Sequence, residues 1–371
     1  MDQKMMKTLG GIIAGFVVFI FILFMISSCS KTTYTYDKLE TKMMDVAKSY
    51  FEANKDELPK EDKDTKTLTL KKMISDGKIE ELTELFDNDE VKCDGNVTVT
   101  NNNGYYIYTP YLNCGKDYES VYLKDKIIEN SLVTEESSNP KYGLYEVGDQ
   151  YIMKGEVDNN YVKFADQLFR VVRINDDGTI RLLQVAGLKQ QVWDNRFNPD
   201  FNYNGGINEY FYNGLNSRVK DAIENYYNDS AVWNDEAKGY MVKSDLCIGK
   251  RSQADVTKDG STECSKKLND QVFGLLSVYE IMQASLDTNC NNTVAKSCAN
   301  YNWLSTSEES IWTATADAEN SQYVYVLYKI PTINNASAYA NVNVVFNLTD
   351  KAIYVDGDGT IENPYVFKSV S

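Results

Sequence analysis

Seven cysteines and no histidine define the chemistry open to this chain of 371 residues. Without an imidazole there is no Ser-His-Asp or Cys-His nucleophile, and no His-ligated zinc or copper site. The cysteines stand at 29, 93, 114, 247, 264, 290 and 298. Six of them fall into local couples, Cys93 with Cys114, Cys247 with Cys264 and Cys290 with Cys298, which leaves Cys29 over. Paired cysteines persist in oxidising, extracytoplasmic compartments. A cytosolic metal cluster would want CxxC spacing, and the sequence contains none. Carboxylates abound, but their order in the chain pairs none of them for acid–base work. The expectation is a non-catalytic protein without metal or cofactor.

Cys29 closes the stretch that organises the rest. No charge interrupts residues 8–30, and residues 12–26 are almost unbroken Ile, Phe, Val, Leu and Met. At ~1.5 Å rise per residue, such a helix matches the ~30 Å hydrocarbon core of a bilayer. Lys4 and Lys7 precede it, which favours a cytoplasmic N-terminus and an exported remainder. Ile26-Ser27-Ser28-Cys29 has the form of a bacterial lipobox, in which Cys29 would be acylated. The rival is an uncleaved anchor, because the apolar run exceeds the ~7–15 residues usual in signal peptides. Both outcomes tether the chain, so the expected location is the extracytoplasmic face of the cell membrane. The net charge of −16 argues against nucleic acid as a partner.

The elements that must hold these residues follow from periodicity. Residues 36–54 predict an amphipathic helix with Leu39, Met43, Val46, Ala47, Tyr50 and Phe51 on one face. The charged run 60–66 ends it, and a second short helix over 70–77 stops near Gly77. Two alternating runs, 96–100 and 105–109, flank Asn103-Gly104, a hairpin signal. A two-residue type I′ turn there places Cys93 opposite Cys114, with Val97, Val99, Tyr108 and Leu112 on the cysteines' face. Further on, helices are expected at 123–132, 207–215, 217–227 and from Ser277, where Glu280 completes a capping box. Strands are expected at 161–175, 179–184, 312–315, 323–328, 342–348, 352–355 and 365–367.

Two stretches resemble known families. "YDKLETKMMDVAKSYFEANKDELP", "LKKMISDGKI" and "CDGNVTVTNNNGYYIYTPYLNCG" resemble the soluble head of pilin-like proteins of Gram-positive bacteria. Type IV pilins carry a processing site followed by a Glu within the apolar helix, and here none follows Gly10, Gly11 or Gly15 in that run. Farther along, "YVKFADQLFRVVRINDDGTIRLL", "CIGKR", "FGLLSVYEIMQASLD", "NYNWLS", "IWTATADAENSQYVYV" and "VVFNLTDKAIYVDGDGTIENPYVF" resemble an uncharacterised domain of secreted bacterial proteins. That domain is similar to the formylglycine-generating-enzyme and C-type-lectin group of folds. It usually has Arg-Pro where this chain has Asn343-Val344.

Helices in the middle and strands at both ends predict an α+β fold. With the apolar stretch and the two resemblances, the expected division is a membrane helix over 1–30, a small pilin-like head over 31–115, a linker with a short helix over 116–142 and a lectin-like domain over 143–371. Trp303, Trp312 and Tyr323 lie in the blocks where lectin-like folds carry their long ligand loop, so they suit either a sugar-stacking platform or a core. Cys290 and Cys298 resemble the enzyme's copper-binding pair only loosely, since the polar "NNTVAKS" between them reads as a disulfide loop. Asp356-Gly357-Asp358-Gly359 resembles the middle of an EF-hand loop, but Tyr354 and Tyr365 occupy its first and last ligand positions, which leaves a turn. The expectation is a membrane-anchored surface protein that binds a glycan or another surface protein, or else a minor pilin-like part of an envelope assembly or secretion machine.

Overall fold

The first helix of the structure, Tyr36–Ala53, is capped by Thr35, whose side chain accepts a hydrogen bond from the Lys38 amide at 3.3 Å. Leu39, Met43, Ala47 and Phe51 recur at a four-residue spacing and are buried against the hairpin that follows. This is a computed structural model, and it describes residues 34–134, 141–287, 290, 302–306 and 309–369. The expected membrane helix over 1–30, with Cys29, lies outside the described residues. Among those described, no helix is long and apolar enough to cross a membrane.

The hairpin joins Asp94–Asn102 to Tyr105–Asn113 with Asn102 opposite Tyr105 and Asp94 opposite Asn113. Asn103 and Gly104 both have positive φ, 56° and 88°, as a type I′ turn requires. Val97, Val99, Tyr108 and Leu112 are buried under the helix. The register brings Cys93 to Cys114 as a disulfide with Cα atoms 4.1 Å apart, and Cys247 is bonded to Cys264. Cys290 is also disulfide-bonded, while Cys298 lies outside the described residues. A third strand, Thr65–Thr69, pairs with Asn96–Thr100 where the sequence had suggested only a charged breaker before a helix. Replacing Cys93 and Cys114 together with serine should lower stability by about 3 kcal/mol, read by urea unfolding under non-reducing conditions.

Beyond residue 116 the chain builds two large sheets, with smaller two-stranded ladders, on a second core. Helix Leu123–Ser131 buries Leu123 and Ile127 in that core, and Leu123 donates to the Ala352 carbonyl at 2.8 Å. The larger sheet runs Met241–Val242, Val345–Leu348, Ile180–Gln184, Gln167–Ile174, Gln150–Lys154 and Gly143–Val147, with Tyr161–Phe164 also on Gln167–Ile174. The smaller runs Ile330–Asn335, Tyr323–Tyr328, Ile311–Asp317, Tyr339–Val342 and Leu188–Val192, with Lys250–Arg251 alongside Ile311–Asp317. The chain steps directly from one sheet to the other at residues 184–188 and again at 342–345. Asn343 pins the two crossings together, its amide donating to the carbonyls of Gln184 and Val185 at 3.0 Å each. Gly187 makes the approach possible, because a Cβ there would lie 2.3 Å from the Val342 carbonyl oxygen.

The α+β expectation is therefore corrected: of the described residues 36% are strand against 22% helix, so sheets dominate the architecture. The expected helix over 207–215 is a short ladder, Phe211–Tyr212 with Leu215–Asn216, turned at Asn213 and Gly214, both with positive φ. The single strand expected over 161–175 is a hairpin, folded at Ala165 and Asp166 with φ of 47° and 56°. The strand expected over 342–348 is divided between the sheets by Asn343 and Val344. By contrast, Ser277 and Glu280 form the capping box at helix Val278–Gln283.

Several charges buried on folding are paired. Glu280 receives Arg173 at 2.6 Å and also the Arg181 guanidinium. Arg251 and Glu263, both without exposed surface, meet at 2.8 Å. Lys368 reaches back to the first helix, touching Glu40 at 2.7 Å and Asp37 at 2.6 Å. Ser120 also donates to Glu40, and Asn102 donates to the carbonyls of Gly239 and Met241, so the two cores are joined by polar contacts.

A candidate ligand pocket where the two sheets cross

The three aromatic residues singled out in the sequence do not share a surface. Trp303 begins a short 3-10 turn, Trp303–Thr306, that sits over the larger sheet. Asn302 builds the turn: its side chain donates to the Ile281 carbonyl at 2.8 Å and accepts from the Leu304 amide at 2.9 Å. The Trp303 amide then donates to the Gly155 carbonyl at 2.7 Å, and its indole N–H to the Met153 carbonyl at 3.2 Å. Trp312 is buried inside the smaller sheet, where its indole donates to the Gln191 carbonyl at 2.8 Å and packs 5.7 Å from Trp193. Tyr323 is half-buried at the far end of that sheet, and its carbonyl accepts from Asn208 at 2.9 Å. Of the three, Trp303 lines a cavity.

That cavity, of about 410 Å³, occupies the corner where the chain crosses between sheets. The larger sheet supplies Arg170 and Leu183, the crossing supplies 184–188, and Asn343 lies beside it. From the smaller sheet come Ile311, Leu327 and Asn341, with Glu309 exposed at the approach to the strand and Asn341 donating to it. Trp303 and Tyr161 complete the lining.

Arg170 is the unusual member. Alternation along Gln167–Ile174 turns Phe169 and Val171 to one face of the sheet and Arg170 to the other, yet Arg170 is only 8% exposed. Its Nε donates to Asn160 at 2.7 Å, Nη1 to the Trp303 carbonyl at 3.1 Å and Nη2 to the Val157 carbonyl at 2.6 Å. The rings of Trp303 and Tyr161 lie 4.6 and 4.7 Å from the guanidinium carbon, within cation–π range. Burial pushes this guanidinium down to about 10, against the opposing pull of Tyr161 and of the exposed Asp158. Among the described residues no carboxylate forms an ion pair with Arg170.

The sequence carries one sign of this site: a charged residue inside the apolar run "QLFRVV". Asn341, Asn343 and Glu309 gave no comparable sign, because their meeting depends on strands distant in the chain. A larger cleft, about 690 Å³, separates the hairpin from the second core and is lined by Tyr105, Tyr106, Tyr108 and Tyr240. Lysines and carboxylates of both signs border it, including Lys48, Lys55, Glu52 and Asp235. The corner cavity is the better candidate, since it combines an aromatic wall with a charge that no described acid neutralises. The Asp356–Gly359 segment is a turn in which Asp358 accepts from the amide and hydroxyl of Thr360 at 3.0 and 2.7 Å. Among the described residues no group of acids and cysteines is arranged to hold a metal.

Comparison with family models, curated proteins and solved structures finds no match to this chain. The pilin-like and lectin-like resemblances gain no support from that side.

Proposed function

We propose that this chain is a membrane-tethered binding protein on the extracytoplasmic face of a bacterial cell, holding a saccharide-class ligand in the corner cavity without transforming it. The cavity carries the reading. The half-buried phenol of Tyr161 offers apolar surface against which a sugar ring can pack, while Asn341 and Glu309 offer the donors and acceptors that fix hydroxyl groups. The disulfides suit an oxidising compartment, and the apolar N-terminal stretch suits a tether.

The test is a glycan array probed with the full-length chain, detergent-solubilised and kept oxidised. At least one glycan family should bind, with a change in tryptophan emission as the ligand alters the surroundings of Trp303 in the cavity wall. Asn341→Ala should weaken that binding roughly tenfold, the loss of one or two hydrogen bonds to ligand. An array without binders, together with copurification of a filament or secretion complex, would sink this reading in favour of an assembly component.

A further inference from the structure

We infer that the ligand of the corner cavity carries a carboxylate, which Arg170 receives; on the saccharide reading above, it is an acidic sugar. A guanidinium taken out of water is normally matched by a carboxylate or phosphate, because neutral hydrogen bonds offset only part of the desolvation. Arg170 has three neutral partners and two aromatic rings, and no described acid pairs with it. The other two buried arginines fully enclosed in this core, Arg181 and Arg251, each have a buried glutamate. Arg170 differs from them in one further respect: it lines a cavity.

Stoichiometry points the same way. A guanidinium has five N–H donors, and three are spent inside the protein, leaving one on each Nη. Two donors suit the two oxygens of a carboxylate better than the three of a phosphate. The contacts with Asn160, Val157 and Trp303 hold the guanidinium in place before any ligand arrives, so little side-chain entropy remains to be lost on binding. The overall charge of −16 does not forbid an anion here, since charges beyond about 8 Å are screened at physiological ionic strength. Glu309 lies on the smaller sheet's side of the cavity with Asn341 donating to it, so the carboxylate is directed to the Arg170 wall and the hydroxyls to the Asn341 wall.

The experiment alters the ligand first, because removing Arg170 could disturb the fold. Glucuronate, glucuronamide, glucose 6-phosphate, N-acetylglucosamine and the non-sugar carboxylate N-acetylglycine are titrated into the full-length oxidised chain by calorimetry. Glucuronate should bind at least about tenfold more tightly than its amide, as expected for a charge-assisted, bidentate contact. Arg170→Gln, checked for native near-ultraviolet circular dichroism, should bring that ratio close to one. Equal binding of acid and amide, or tighter binding of the phosphate, overturns the carboxylate assignment while leaving a sugar site intact. Binding of N-acetylglycine with no sugar bound keeps the charge assignment and overturns the saccharide reading. Binding of none of the five overturns both.

Discussion

Glu280→Ala should lower the unfolding free energy by about 3–5 kcal/mol, because it strands the guanidinium groups of Arg173 and Arg181 in the core without their shared acid. It also removes the acceptor for the Ser277 amide, at 2.8 Å, and so opens the capping box of helix Val278–Gln283. Glu280→Gln, which keeps the volume and a carbonyl acceptor, should cost less than alanine but more than a surface change. Burial alone would raise this carboxyl, but Arg181 and then Arg173 outweigh it and hold Glu280 below the ordinary glutamate value. A depressed acid contributes stability that is present above the unfolded glutamate pKa and lost as pH falls through the folded value. Urea unfolding of wild type and Glu280→Gln should therefore differ widely at neutral pH and converge in acid. A gap that stays constant on acidification, or is below about 1 kcal/mol at neutral pH, would count against this account.

The second large effect is expected at the joint between the two cores. Lys368→Met leaves Glu40, 1% exposed, without its cation, and Asp37 loses the same partner. The local cost should be about 3–5 kcal/mol, enough to loosen the docking of helix Tyr36–Ala53 on the C-terminal strand region. Limited proteolysis should then cut between residues 115 and 122 faster than in wild type, and small-angle scattering should show a larger radius of gyration. Adding Glu40→Gln to Lys368→Met should restore most of the loss, because the buried charge is removed with its partner. If the double variant is as loose as the single one, packing rather than charge holds the joint.

Both predictions use contacts that sequence reading did not reach, and the reason is sequence separation. Helix Tyr36–Ala53 was legible because its apolar residues recur at helical spacing within one segment. The Cys93–Cys114 bond was legible because Asn103-Gly104 fixes the register of every residue outward from it. Glu280 could be assigned its capping role from residues three positions apart, but not its two arginines, which are 107 and 99 residues away in the chain. The turn at Ala165-Asp166 was missed for a different reason: alanine does not favour the positive φ it takes there, so tertiary pairing of Tyr161–Phe164 with Gln167–Ile174 overrides local preference. At 207–215 the sign was present, since Asn213-Gly214 is the same dipeptide that marked the earlier hairpin. Trp303, Trp312 and Tyr323 are close in sequence, yet the 3-10 turn and the strand pairing send them to a cavity wall, a sheet interior and a sheet end.

The contact of Lys368 with Asp37 also governs how the molecule can be displayed. It places residues 37 and 368 side by side, with 2.6 Å between the ammonium and the carboxylate. If the chain leaves the bilayer just before residue 34, a reporter or affinity tag fused after residue 369 would emerge next to the lipid and be shielded from large probes. An epitope intended for antibody access belongs instead in a solvent-facing turn, such as the one at Asp176-Asp177. The same adjacency would let residues 34 and 369 be joined by a short linker in a circularly permuted ectodomain with new ends opened at that turn.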